Sequence, residues 1–322
     1  MGIRFNYIDK QPSMKDVNIA EKNVSIFYGN IIDERGSTVL DYFNSLSNIE
    51  HNNVIYYTQD DDSFHINKNT IKRKDINNDL GNFLNPKNSI IIDSTTLSYM
   101  EILTLLYYIN SLKVPVNLDI FYVQPLDYTK EEKKFNQTNF KLSYDSGRLS
   151  YIKPFLLNTP LDNLNEDKAS IIVFLGFEDD RLNTILELDE FEKLYDNVYP
   201  ILSVPGFEYG WENISISKHI GLIDKYKLYY TPSDNPYASY LLLERIIEEI
   251  NSRQIILMPF GTKPNTVATA IFMVNYKEKY SKDDSSQPSV ATQFDFPNKS
   301  EKRTVGVKEI HHYKLQINCI SS

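Results

Sequence analysis

The chain has 322 residues, of which 43 are acidic and 34 basic, for a net charge of −9, with 41% hydrophobic and 13% aromatic side chains; this is globular composition with room for two domains of roughly 100–200 residues. The acidic balance argues against a general nucleic-acid coat and against tight direct nucleic-acid binding, which need a Lys/Arg stripe to neutralise phosphates. The single cysteine, Cys319, excludes a disulfide framework and a Cys-rich zinc site; no apolar run approaches the ~18 residues that span a bilayer, and residues 1–16 are unlike a signal peptide, so a cytoplasmic protein without a membrane partner is expected.

In chain order, residues 24–28 (VSIFY) read as a strand, 38–46 as a helix and 54–58 (VIYYT) as a second strand. A stronger strand at 89–92 (SIII) leads through Asp93-Ser94-Thr95-Thr96 into an apolar helix at 97–112 and a strand at 118–123, a compact βαβ unit. Residues 129–138 and 158–168 are polar, and either stretch suits a domain boundary. Beyond 162 the alternation is clearer. A strand at 170–175 (SIIVFL) ends at Gly176, a helix follows at 180–188, and a strand at 198–204 stops at Pro205-Gly206. A third strand, 227–231, precedes the cap sequence Ser233-Asp234-Asn235-Pro236 and a helix at 237–251, whose Leu243, Ile246, Ile247 and Ile250 share one face. A strand at 254–258, a helix at 265–276, an exposed loop at 279–293 and a closing strand at 305–317 complete the pattern. The expectation is an α/β fold, Rossmann-like, with a mostly parallel sheet flanked by helices. An N-terminal α/β domain would occupy 1–145 and a C-terminal one 146–322. Two βαβ units beginning near Asn88 and Ala169 fit either tandem duplication or two uses of one common motif.

In a parallel α/β sheet, ligands meet the carboxyl ends of the strands. The most informative of these ends is the one where a strand runs into Gly261-Thr262-Lys263-Pro264 and then a helix. Gly261 lets backbone approach a ligand, Thr262 offers a hydroxyl, and Lys263 places a positive charge beside the positive helix end, a combination suited to phosphate. It is not a Walker loop, because Gly-x4-Gly-Lys-Ser/Thr is absent. In the alternative reading Thr262 caps the helix, Pro264 fits its first turn and Lys263 is solvated.

Gly261-Thr262-Lys263-Pro264 after a hydrophobic strand resembles the Gly-Thr-Lys element of CARF domains, the Rossmann-like sensors of cyclic oligoadenylates in CRISPR defence, which are related to SAVED sensors. The resemblance covers one strand, one loop and one helix, with Phe260 where those domains usually carry a second glycine. Gly176-Phe177-Glu178 with Arg181, followed by Gly-Thr-Lys-Pro, is also similar to bacterial proteins associated with defence or mobile-element loci. The resemblance implies a sensing or accessory protein of antiviral defence that binds a nucleotide-like ligand and acts with another protein subunit or a second copy. The ligand-binding residues expected are Gly261, Thr262, Lys263, Gly176, Arg181 and Thr95, with no cofactor.

An enzymatic alternative uses Glu178 or Asp179, and Asp93 in a similar position, as acid, base or nucleophile in N-glycosyl or phosphodiester hydrolysis. Against it, acidic residues such as Glu178, Asp179 and Asp180 are favoured at any helix start, where Arg181 can pair with one of them; Thr95 reads as a cap. A third alternative is a structural subunit without a ligand. His311 and His312 would point to opposite faces of a strand, so no metal site is expected. Neither a Gly-x-Ser-x-Gly elbow nor a nucleophile context for Cys319 is present. Phe207, Tyr209 and Trp211 suit packing or a partner surface better than base stacking.

Overall fold

The computed structural model describes residues 2–19, 23–46, 49–132, 138–140, 142–145, 147–161, 168–188, 191–280 and 286–318. It divides into two compact units, 1–129 with 300–322 and 130–299.

The first unit is built on an eight-stranded mixed sheet. In spatial order its strands are Ile3–Gln11, Thr304–Ile317, Val116–Tyr128, Ser89–Asp93, Val24–Tyr28, Ile49–Thr58, Ser63–Ile66 and Asn69–Lys72. The four from Val116–Tyr128 to Ile49–Thr58 run parallel, and antiparallel strands extend both sides. Ser89–Asp93 is buried at every position, as expected of a parallel strand covered on both faces. The helix Thr38–Leu46 brings Val39 and Phe43 against Val24, Ile26, Ile91, Phe121 and Val123. The helix Tyr99–Ser111 starts with a Ser98/Glu101 capping box and is buried over nearly its whole length.

Residues 305–317, expected to close the C-terminal sheet, lie instead in the first unit, between Ile3–Gln11 and Val116–Tyr128 and antiparallel to both. Strand length accounts for this. Thr304–Ile317 spans 14 residues and finds a 13-residue partner in Val116–Tyr128, and its interior position buries Ile310, His311, His312, Tyr313, Leu315 and Ile317. The chain therefore leaves the first unit after Thr129 and re-enters it at Ser300, rather than dividing between 145 and 146.

The second unit carries a six-stranded sheet in the order Ser150–Tyr151, Ser289–Phe294, Gln254–Pro259, Ala169–Leu175, Tyr195–Ser203, Tyr229–Thr231. All except the antiparallel Ser150–Tyr151 run parallel. All but the last residue of Ser289–Phe294 falls within the stretch 279–293 expected to be a loop. Its small and polar side chains hide a buried strand, in which Ala291 is fully buried and the Thr292 hydroxyl donates to the Leu257 carbonyl at 2.9 Å. Numbered along the chain, the five parallel strands stand in the order 3-2-1-4-5. Ala169–Leu175 is thus central, and the direction of winding reverses between it and Gln254–Pro259, the crevice where open α/β sheets receive ligands. In the first unit Val24–Tyr28 holds the same place, between Ile49–Thr58 and Ser89–Asp93. The topological counterpart of 169 is therefore residue 24, not 88.

Candidate functional site

At the reversal point of the second unit, the loops after Ala169–Leu175 and Gln254–Pro259 lie against each other with no side chain between them. A Cβ on Gly176 would collide with the Phe260 carbonyl oxygen, and one on Gly261 would sit 2.9 Å from Phe174 Cβ and 2.6 Å from Asn265 Oδ1. Only glycine permits such an approach. The Gly176 carbonyl in turn accepts from Ser215 Oγ at 2.7 Å and lies 3.2 Å from His219 Nε2. Burial holds the His219 pKa below its ordinary value, so the imidazole is neutral at pH 7.

Thr262 is the N-cap of the 17-residue helix Lys263–Lys279, with Pro264 in its first turn. Asn265, fully buried, completes the capping box and serves as a hub. Its Oδ1 accepts from the Thr262 amide at 2.9 Å and from Ser203 Oγ at 3.0 Å, and its Nδ2 donates to Ser239 Oγ at 3.0 Å. Ser239 Oγ lies 3.0 Å from Thr231 Oγ1, and the Thr262 hydroxyl lies 2.9 Å from the Ser233 carbonyl. This network fastens the Gly-Thr-Lys-Pro loop to the ends of the strands Tyr195–Ser203 and Tyr229–Thr231 and to the helix Pro236–Glu249. Lys263 is half-buried at the first helical position.

Arg181 binds Asp295 in bidentate fashion, through Nε at 2.7 Å and Nη2 at 2.5 Å, with its guanidinium 4.4 Å from the Phe260 ring centre and 5.5 Å from that of Phe294. Such forked, stacked pairing is the strong form of an arginine–carboxylate contact, and it ties helix Asp180–Leu186 to the segment after Ser289–Phe294. Glu178 accepts from Ser143 Oγ at 3.2 Å, whereas Asp179 pairs with Lys218 at 3.6 Å; Asp180 is exposed in the first helical turn. The adjacent aromatic side chains Phe140, Phe177 and Trp211 make edge-on contacts with centroids 4.9–6.1 Å apart, while Tyr209 is fully exposed.

Asp93 and Thr95 belong to the first unit, whereas the Gly261 loop belongs to the second. Asp93 is completely buried; its carboxylate accepts from the Thr95 amide at 3.0 Å and from Thr96 Oγ1 at 3.1 Å. Thr95 Oγ1 receives the Val123 amide at 2.9 Å, and Thr96 Oγ1 the Gly29 amide at 2.8 Å. Burial pushes the Asp93 pKa up to about 6, against the opposing hydrogen bonds and the charge of Arg35. These contacts give Asp93 and Thr95 the work of shaping the loop.

His312 Nε2 lies 2.6 Å from Asp119 Oδ1, with its ring stacked on Phe121, and His311 Nε2 lies 2.9 Å from Gln124 Oε1. Among the described residues no group of three or more His, Cys, Asp or Glu could hold a metal ion, and no helix is long and apolar enough to cross a membrane. Cys319 lies outside the described residues.

Sequence reasoning missed Asn265, Ser203 and Ser239, and a buried charge cluster in the first unit. There Arg35, 3% exposed, donates to Thr304 Oγ1, to the Val123 carbonyl and to Asp33, at 3.1, 3.1 and 2.8 Å. Arg303 approaches the same Asp33 at 3.6 Å. Comparison with protein-family models, curated proteins and solved structures finds no match to the chain.

Proposed function

We propose that the second unit binds a phosphate-bearing, nucleotide-like small molecule at the carboxyl edge of its parallel sheet, around Gly176 and Gly261-Thr262-Lys263. The chain would serve as a sensing or accessory protein that acts with a partner. The observation that carries this proposal is the close backbone approach that Gly176 and Gly261 allow between the loops after Ala169–Leu175 and Gln254–Pro259, at the reversal point of the strand order. Lys263 adds a positive charge at the positive end of a 17-residue helix, where an anion is favoured. The similarity of the Gly-Thr-Lys element to CARF sensors extends the proposal to an antiviral defence role, with a cyclic oligonucleotide among the ligands to be tried.

A ligand-free structural subunit has its own support. The Thr262 hydroxyl, Asn265 and Arg181 are occupied by internal partners, which a rigid scaffold explains without a ligand. Enzymatic hydrolysis draws on less, because Glu178 and Asp179 are engaged by different partners. Thermal shifts of the wild type and Lys263→Ala against ATP, NAD and cyclic oligoadenylates distinguish these alternatives, since any ligand that binds the folded state raises its melting temperature. A shift in the wild type that shrinks in Lys263→Ala is expected. No shift with any of them would favour the structural subunit.

A further inference from the structure

On the second unit, a cavity of about 540 Å³ opens between the helix Asp180–Leu186 and the helices Trp211–Lys218 and Ile220–Ile223. Its volume falls within the ~300–1,000 Å³ of small-molecule sites. Leu186, Leu188, Phe191 and Leu222 supply an apolar wall, and Leu188 is 46% exposed, so apolar surface faces solvent at the rim. Among the described lining residues, two ammonium groups, Lys218 and Lys225, stand with one carboxylate, the exposed Glu192. Lys218 already pairs with Asp179. Lys225 reaches only the Tyr226 ring, 5.2 Å away, and among the described residues no carboxylate pairs with it. His219, also in the lining, is neutral and adds no charge at pH 7.

We propose that this cavity binds a small organic monoanion with an apolar body, its carboxylate or sulfonate at Lys225 and its hydrocarbon against Leu186, Phe191 and Leu222. The site is independent of the Gly261 loop and stands whether or not that loop takes a phosphate. The apolar wall contributes part of the binding by covering the apolar body, and the lysine charge fixes polarity and orientation.

Gly221 makes the test specific. It lines the cavity, and a Cβ built on it meets nothing within 4 Å, so Gly221→Trp can occupy the space without a clash at its base. The probe is 8-anilinonaphthalene-1-sulfonate, an aromatic monoanion, titrated by calorimetry into the full chain at moderate salt, with octanoate as competitor and the uncharged N-phenyl-1-naphthylamine as control. The expected result is one saturable site per chain, displaced by octanoate, lost in Gly221→Trp and weakened about fivefold in Lys225→Ala, the scale of a partly solvated charge pair. Gly221→Trp should keep the wild-type melting temperature within a few degrees. Absence of saturable binding, undiminished binding by a folded Gly221→Trp, or equal affinity for the uncharged probe would overturn the proposal.

Discussion

Replacement of Asn265 by Ala tests how the Gly-Thr-Lys-Pro loop is held. The side chain is fully buried and makes at least three bonds that alanine cannot make: Oδ1 accepts from the Thr262 amide and Ser203 Oγ and lies 2.8 Å from the Thr262 hydroxyl, and Nδ2 donates to Ser239 Oγ. At a net ~1 kcal/mol per bond the loss is about 3 kcal/mol. Buried partners left without water push it higher, because a stranded polar group costs ~1–3 kcal/mol. Trp211, the only tryptophan, lies in the second unit against Phe177 and Phe140, so its fluorescence follows that unit alone. With urea slopes of ~1–3 kcal/mol/M, the midpoint should fall by about 1–3 M. Thr262→Ser, which keeps the capping hydroxyl, should move it much less. A shift in Asn265→Ala corresponding to under about 1 kcal/mol, with an unchanged slope, would show that the network is not what fastens the loop.

Gly176→Ala should destabilise the second unit by about 1–3 kcal/mol, since its Cβ would meet the Phe260 carbonyl, whereas Gly221→Ala, with open space at Cβ, should be neutral or stabilising; the same tryptophan-detected titration compares them. Removing Arg181 alone strands the buried Asp295 carboxylate, so Arg181→Ala should cost roughly 3–5 kcal/mol, and adding Asp295→Ala should recover part of that loss in a double-mutant cycle. The folded-state pKa of Asp93, about 6, lies above the ordinary 3.8. The stability it contributes to the first unit is therefore full below the ordinary value and is lost as pH rises through about 6. Asp93→Asn should flatten the pH dependence between 4 and 7, as read by hydrogen exchange of the Ser89–Asp93 amides.

The parallel strands were legible where both faces are covered, because Ala169–Leu175 and Gln254–Pro259 read as continuous apolar runs. Ile3–Gln11 was not, because an edge strand of alternating polar residues carries little pattern. Ser289–Phe294 was hidden by Ser, Thr and Gln, whose burial depends on neighbours distant in sequence. Thr304–Ile317 was recognisable as a strand but not as part of the first sheet, since its partner lies about 200 residues away, as the pairing Ile317 to Val116 illustrates. The same limit applies to the site. Thr262 as a cap follows from local chemistry, but Asn265 is a hub only because Ser203 and Ser239 come to it, and Arg181 is engaged only because Asp295 arrives 114 residues later. Nothing local to Asp93 or Thr95 separates them from the Gly261 loop; only the path of the whole chain assigns them to the other unit.

Calorimetric titration of cyclic oligoadenylates and ATP into the wild type and into Lys263→Ala, at moderate and high salt, tests the central claim most directly. Saturable binding of at least one of these nucleotides to the wild type is predicted, weakened by salt and by about tenfold or more in Lys263→Ala, as expected for a charge-assisted phosphate contact. No binding to the wild type, or equal binding to both proteins, would contradict a phosphate site at Gly261-Thr262-Lys263.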